Sequence, residues 1–490
     1  MNGADAASRV NSPTGTAQPI GGDSPAGNAP QSGGGSPSSN QPPTEFRTLT
    51  EKVGKFGLTG KKALIPDLCG AGSQLLAATM RSFGINAEIM ETYKGLNLGK
   101  KYTSGKECFP CQVTLGDFLY HMEKERERLG DEFDPANYIY CLAEADGPCR
   151  FGMYTKLHRI VLDSLDGFHN TRIAYVTCGD NYSAEGLVPP ESQPTVVRMA
   201  VFGFLVGDIL DRILWRTRPY ERQPGAAESL FEDGLARLVR LFELHGKEAV
   251  TGPMLDELEQ IAIRARATID PSVPPKPMIG LVGEIYVRSH RASNKDLILM
   301  LERHGAEVVN ASITEWVHYI IYHTRQRAAR DAAHALRRGD LRAASGRAME
   351  WLRQGLTLIH QERLVSRAYG RVMRHLPIRP DHRIASIERQ LDKGRIFSFR
   401  MCTEAPLSIG GALEYHAHGF DGVVNVLPFG CMPSTTTSAV LKPVLDRLRL
   451  PYIDSQHDGT DQPNREAIIR TFMYQATQHQ RSRRSQRQEA

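Results

Sequence analysis

The chain lacks an apolar run long enough to cross a bilayer. Its richest one, Met199 to Leu210, is broken by Asp208 and flanked by Arg198 and Arg212, well short of the roughly 20 residues a spanning helix needs. Residues from Met1 to about Asn28 show neither a basic n-region nor an apolar h-region, so no secretory signal is expected and the chain is placed in the cytoplasm. The body also lacks a basic stripe and the aromatic signatures of RNA binders, which argues against nucleic acid. The formal charge of +5 owes +3 to the last ten residues, through Arg481, Arg483, Arg484 and Arg487 against Glu489, leaving +2 for the remainder. That end is expected to be a solvated basic tail over 477–490. Eight cysteines in 490 residues are too sparse for a disulfide scaffold, and a reducing compartment leaves their thiols free for metal or catalysis.

With 41% hydrophobic and 23% charged residues, the chain has the composition of two or three globular domains. Residues 1–45 are mostly Gly, Ser, Pro, Ala and Asn, a mixture that buries too little apolar surface to offset ordering entropy, and they are expected to be a disordered tail. Order begins near Phe46. Lys62 to Leu68 reads as a strand, Gln74 to Phe83 as a helix and Ile85 to Glu91 as a strand, the parallel βαβ grammar of doubly wound sheets. The grammar repeats with strand 138–143, helix 151–165 and strand 172–177, followed by a helical stretch over 196–268. Pro271, Pro274, Pro275 and Pro277 mark a hinge. Beyond it come strand 278–285, helix 294–304, strand 307–310 and an Arg- and Ala-rich helical insert over 313–391. Strand 396–402, helix 409–418, strand 422–427, helix 437–448 and strand 451–454 close the series. The expected fold is α/β, with two parallel-sheet lobes over 46–270 and 271–476, each carrying a helical insertion.

Three cysteines share one context, a short Gly- or Pro-containing loop that opens a helix: Cys108 in Glu107-Cys108-Phe109-Pro110-Cys111, Cys149 in Gly147-Pro148-Cys149-Arg150, and Cys431 in Phe429-Gly430-Cys431-Met432-Pro433. Loops after parallel strands converge at the carboxyl edge of the sheet, where ligands bind. A helix N-terminus favours the negative charge of a thiolate or an anionic cluster and is expected to lower a thiol pKa. Thiolate sets suit iron-sulfur clusters or zinc. No second C-x-x-C exists and no His-x-x-x-His accompanies the first, which disfavours a structural zinc site. Spacing alone leaves open whether these cysteines bind metal or are buried small hydrophobes. Cys141, Cys178 and Cys402 fall in strand-like segments and are expected to be core.

The segments Lys106-Glu107-Cys108-Phe109-Pro110-Cys111-Gln112, Asp146-Gly147-Pro148-Cys149-Arg150-Phe151-Gly152, Gly283-Glu284-Ile285-Tyr286-Val287-Arg288, Leu407-Ser408-Ile409-Gly410 and Asn425 through Pro433, in that order, resemble the 2-hydroxyacyl-CoA dehydratase superfamily, in its acyl-CoA dehydratase activase-related branch. The resemblance covers nearly everything from Gly60 to Ala476. It implies two flavodoxin-like, Rossmann-like lobes whose cleft holds a 4Fe-4S or double-cubane iron-sulfur cluster on three cysteines, with a fourth position open. It implies Cys108, Cys149 and Cys431 as ligands, with Cys111 in reserve. It also implies electron transfer from a separate ATP-hydrolysing activase, an acyl-CoA or other small-molecule substrate, and dimerisation with itself or another chain. As an enzyme the protein would be a radical-type (R)-2-hydroxyacyl-CoA dehydratase-like lyase or a small-molecule reductase.

Further candidates surround this set. Arg150, next to a cluster cysteine at a helix start, could offset cluster charge or hold an anion. The backbone N–H groups around Ser408, Gly410 and Gly411 could receive a CoA phosphate if they open a helix. Glu284 and Arg288 could shape a pocket, although a salt bridge between them is the simpler expectation. Gly70 and Gly72 lack the full dinucleotide fingerprint, and His457, Asp458 and Asp461 read as a solvated loop. No residue announces itself as a general base. Two other readings stay open: a noncatalytic metal-binding or assembly protein with zinc or no metal, and a thiol redox protein centred on Cys108 and Cys111.

Overall fold

A computed structural model describes residues 49–145, 147–246 and 251–489; the expected tail over 1–45, and Asp146 of the second cysteine motif, lie outside them. Among the described residues nine strands form two sheets, parallel throughout. The first holds β1 (Thr50–Lys52), β2 (Lys62–Ile65), β3 (Asn86–Ile89), β4 (Tyr138–Glu144) and β5 (Arg172–Thr177) in the order β1-β5-β4-β2-β3. The second holds β6 (Met278–Gly283), β7 (Glu307–Asn310), β8 (Gly422–Pro428) and β9 (Tyr452–His457) in the order β7-β6-β8-β9. Strands β8 and β6 are apolar nearly throughout, as strands covered on both faces must be.

Helices link the strands and fill the inserts. In the first half they are α1 (Ala71–Ser82), α2 (Leu96–Lys101), α3 (Phe109–Leu129), α4 (Tyr154–Asp163), α5 (Gln193–Thr217), α6 (Ala226–His245) and α7 (Gly252–Thr268). In the second half they are α8 (Ile285–Ser289), α9 (Leu297–Arg303), α10 (Ile313–Arg337), α11 (Leu341–Met373), α12 (Ile384–Gly394), α13 (Glu404–Ala417), α14 (Met432–Arg447) and α15 (Arg465–Glu489). Starts follow local chemistry. Ser312 Oγ accepts from Glu315 N at 2.9 Å, the first half of a capping box that launches α10, while Pro110 and Pro433 occupy the first turns of α3 and α14, where a missing N–H costs nothing. Among the described residues no helix is long and apolar enough to cross a membrane.

The inserts join the two halves. One core combines Leu75 of α1, Phe202 and Ile209 of α5, Phe242 of α6 and Leu258 of α7 with Ala368, Tyr369 and Val372 of α11. Within it the buried Arg212 of α5 pairs with Asp381 and donates to the carbonyls of Arg379 and Asn310, so the charge is both paired and hydrogen-bonded, as burial demands.

Two expectations need correction. Residues 396–402 form no strand. Phe399 lies edge-on to Tyr319 and Tyr322, and the Arg400 and Met401 carbonyls are engaged by His323 and by the Tyr319 hydroxyl. Side chains thus take up backbone acceptors that a ladder would have used. The Arg-rich end is largely exposed over 481–486, as expected of a solvated segment, but helical to Glu489 rather than an irregular tail, and Arg483 pairs with Asp421 at 3.0 Å while Arg484 donates to the Pro275 carbonyl at 3.0 Å.

Candidate functional site

In each sheet the chain reverses direction across the sheet next to its first βαβ strand, between β2 and β4 in one and between β6 and β8 in the other. At such a switch point the loops on the carboxyl side splay apart and leave a crevice. All four loops open on one cavity of about 310 Å³, to which β2 contributes Cys69, β4 Cys149, β6 Glu284 and β8 Cys431. Cys108, at the start of α3, completes the expected trio on the same wall. The four cysteines are buried or half-buried and unbridged.

Each of the trio is held at a helix start. Cys108 precedes α3 with φ +115° and ψ 142°, a conformation that a residue with a Cβ adopts only under constraint. Cys149 Sγ accepts from Phe151 N at 3.5 Å, opening a short turn of helix before α4. Cys431 Sγ lies 3.5 Å from Ser434 Oγ. Beneath it the buried Asn425 of β8 donates to the Ser434 carbonyl at 3.3 Å and to Ser438 Oγ at 3.0 Å, fixing the first turns of α14. Glycine permits the neighbouring approach of β6 to β8: Gly283 has φ +116°, and a Cβ there would stand 2.1 Å from the Val426 carbonyl oxygen.

Arg150 ties the three loops together. It follows Cys149 directly, donates Nη1 to the Lys106 carbonyl two residues before Cys108, and donates Nη2 to the Gly430 carbonyl at 2.7 Å, one residue before Cys431. The anion-holding expectation becomes a loop-tying role, with both donations going to backbone oxygen. Gly147 adds a second contact between halves, because a Cβ there would meet the Cys402 carbonyl at 2.3 Å.

Burial, not helix polarity, sets the electrostatics of the thiols. It pushes Cys108 up to about 11 and Cys431 up to about 12, with the Glu284 carboxyl adding to both. Cys149 is raised further by burial and by Glu404. The lowering expected from helix N-termini is therefore outweighed, because a thiolate there would be desolvated beside the half-buried carboxyls of Glu284 and Glu404. A metal ion reverses this balance, since a coordinating thiol is deprotonated outright. Burial and the facing Glu404 likewise raise Glu284 to about 7.

Other residues depart from expectation. Cys111 does not line the cavity; it is fully buried behind Cys108, with Sγ 3.5 Å from His158 Nε2 and Tyr154 packed alongside. Glu284 makes no salt bridge to Arg288. Its carboxylate caps α8, accepting from Tyr286 N at 3.0 Å and Val287 N at 2.7 Å, while Arg288 donates to the carbonyls of Gly283 and Ser312. Ser408 and Gly410 lie inside α13 rather than at its mouth, past the four N–H groups a helix leaves unpaired. Ser408 Oγ instead accepts from Gly283 N at 3.1 Å, and Gly410 packs on Ile387. His457 is buried, bonded to Ser455 at 3.0 Å, while Asp461 pairs with Lys295.

Sequence reasoning missed Cys69, Cys141, Cys402, Tyr154 and Glu404 as cavity residues. The signal for Cys69 was present, a strand followed by a short loop and a helix start. Cys141 and Cys402 reach the cavity from strand β4 and from the irregular segment before α13. As donors, the thiols suit a soft metal or an iron-sulfur cluster. Among the described residues no three His, Cys, Asp or Glu side chains are already drawn together as a metal cage; the cysteines instead stand around the cavity wall. No family model matches the chain, and no curated protein matches it in sequence.

Proposed function

We propose that the chain is the iron-sulfur component of a low-potential reductive system related to the 2-hydroxyacyl-CoA dehydratases. Cys108, Cys149 and Cys431 would hold a cluster between two flavodoxin-like lobes, charged by a separate ATP-hydrolysing activase. The observation that carries this reading is the convergence of three helix-start cysteines from both sheets on one cavity, with Arg150 bonded to the loops on either side. The strand orders support the lobe assignment: β3-β2-β4-β5 and β7-β6-β8-β9 both follow the 2-1-3-4 order of flavodoxin-like sheets.

Bound there, a low-potential cluster with an open coordination position supplies single electrons to a substrate. The chain's own residues do the rest. Arg150 fixes the spacing of the ligand loops, the apolar wall excludes water and so strengthens electrostatic contacts inside, and Cys111 packs behind Cys108 as a supporting thiol. The buried position of Cys111 weighs against a dithiol redox role for the Cys108 and Cys111 pair, which needs an accessible, low-pKa thiol.

The test is anaerobic purification followed by iron, acid-labile sulfide and zinc analysis, with EPR of the dithionite-reduced protein. Iron and sulfide in matching amounts, lost together in Cys431→Ser, are expected. Stoichiometric zinc without sulfide overturns the reading, and a cluster untouched by Cys431→Ser overturns the cross-lobe site.

A further inference from the structure

Beyond Cys108, Cys149 and Cys431 the cavity continues as an arm between one face of the first sheet, where Cys141 pairs with Ala174, and helices α1 and α5, where Cys69 lies near Phe204. Ile65, Ala174 and Val176 form its floor, and Val197, Ala200 and Phe204 of α5 form its roof. Polar groups along the arm are few: Thr79 Oγ1 donates to the Leu75 carbonyl at 2.9 Å, Tyr182 OH accepts from Trp316 Nε1 at 2.9 Å, and Asn181 Oδ1 accepts from Thr324 Oγ1 at 3.4 Å. Charge is confined to the other end. Arg150, Glu284 and Glu404 are the charged residues lining the cavity, all beside the cysteines. There Glu404, half-buried as a residue, has a buried Oε2 with no hydrogen-bond partner, an acceptor whose desolvation is uncompensated until a donor arrives.

An interior this apolar joined to so polar a mouth is the profile of a small-molecule pocket, in which a few polar groups orient a mainly hydrophobic ligand. We propose that the arm binds the uncharged hydrocarbon part of a small molecule whose hydrogen-bonding head meets Glu404 at the cysteine end. A tail ending in a second carboxylate is rejected, because among the described lining residues the one cation, Arg150, is at the other end and none in the arm offsets the charge's desolvation. At about 310 Å³ the cavity stands at the small end of ligand pockets, so it takes an acyl or aryl group rather than a whole nucleotide carrier. The inference rests on the preceding reading only in taking the cysteine end as the reactive one.

The experiment titrates the full-length chain by calorimetry with butanoyl, hexanoyl and octanoyl thioesters of N-acetylcysteamine, with free octanoate, and with the suberyl monothioester. Affinity is expected to rise about 4-fold per added methylene, the value for one buried CH₂, and the suberyl compound to bind at least 10-fold more weakly than octanoyl. The thioester binding more tightly than octanoate would assign the tail to an acyl thioester, and the reverse to a free acid. Ala200→Phe, which fills the arm, should abolish the length dependence, and Phe204→Ala should extend it to decanoyl, both without changing bound iron. Flat length dependence, equal binding of the suberyl compound, or a dependence unmoved in both variants overturns the proposal. Iron and sulfide analysis separates the two readings: a cluster without length dependence sinks this one alone, and length dependence without a cluster sinks the other alone.

Discussion

Arg150 and Gly430 stand 280 residues apart and are joined by a 2.7 Å hydrogen bond from the Arg150 guanidinium to the Gly430 carbonyl. The same guanidinium holds the loop before Cys108 through the Lys106 carbonyl. The planar fork reaches two diverging acceptors at once, which a lysine ammonium does not reproduce.

Arg150→Lys should therefore behave much like Arg150→Ala. Both are expected to lower the unfolding free energy by about 1.5 kcal/mol, the low end for hydrogen bonds made by a charged, half-exposed donor. If the cluster reading holds, both should also reduce iron bound per chain, read from paired urea melts and metal analysis of the three proteins.

Cys108 should invert a familiar ranking. At an ordinary helix N-cap serine stabilises more than glycine, but the positive φ of Cys108 costs any residue with a Cβ about 1–3 kcal/mol. In the metal-free chain Cys108→Gly is expected to be more stable than Cys108→Ser by about 1 kcal/mol, measured by equilibrium denaturation. The ordinary order would show that the backbone there is unstrained.

Gly283→Ala should be among the most damaging single changes. It adds a methyl 2.1 Å from the Val426 carbonyl at a φ of +116°, and either effect alone is unfavourable. A loss of about 3 kcal/mol or more is expected, seen as a lowered Tm and loss of near-UV circular dichroism.

Asp117 supplies a pH dependence. Its carboxyl accepts from Thr92 Oγ1 at 2.8 Å, and burial raises it from 3.8 to about 6. Because the folded state binds the proton more tightly than the unfolded chain, the contribution is fully present below about pH 3.8 and is lost as pH rises through about 6. Asp117→Asn should flatten the slope of stability against pH across that window, read from urea midpoints at closely spaced pH values. An unchanged slope would assign it to other groups.

The same residues form a relay between halves. Ser293 N donates to His290 Nδ1 at 3.2 Å, so His290 Nε2 carries the proton and donates to Thr92 Oγ1 at 2.8 Å, leaving the Thr92 hydroxyl to donate to Asp117. Thr92→Val should cost about 1–3 kcal/mol by stranding two buried partners, with Thr92→Ser restoring most of it.

Most strands were legible from their apolar runs, but the short polar β1 was not, and β9 runs past the expected end at 454 to His457. The expected bounds of β5 and β7 coincide with those observed. The segment 396–402 carries a strand-like pattern too, yet its Phe399 is buried against aromatic rings and two of its carbonyls, of Arg400 and Met401, are taken by a histidine and a tyrosine from α10. Local pattern cannot distinguish these two ways of satisfying the same groups. At the site, helix-start cysteines were readable from loop composition. The Arg150 tie, the Glu284 cap and the burial of Cys111 were not, because each depends on a partner or packing brought from elsewhere in the fold.

Cys149 and Cys431 follow equivalent strands, the third in the shared 2-1-3-4 order of each sheet. Each thiol thereby sits in the loop that a central strand delivers to the cavity. Anything bridging them would tie two hydrogen-bonded sheets that already share a helical core. Binding there should protect strand amides far from the cavity against hydrogen exchange as strongly as those beside it.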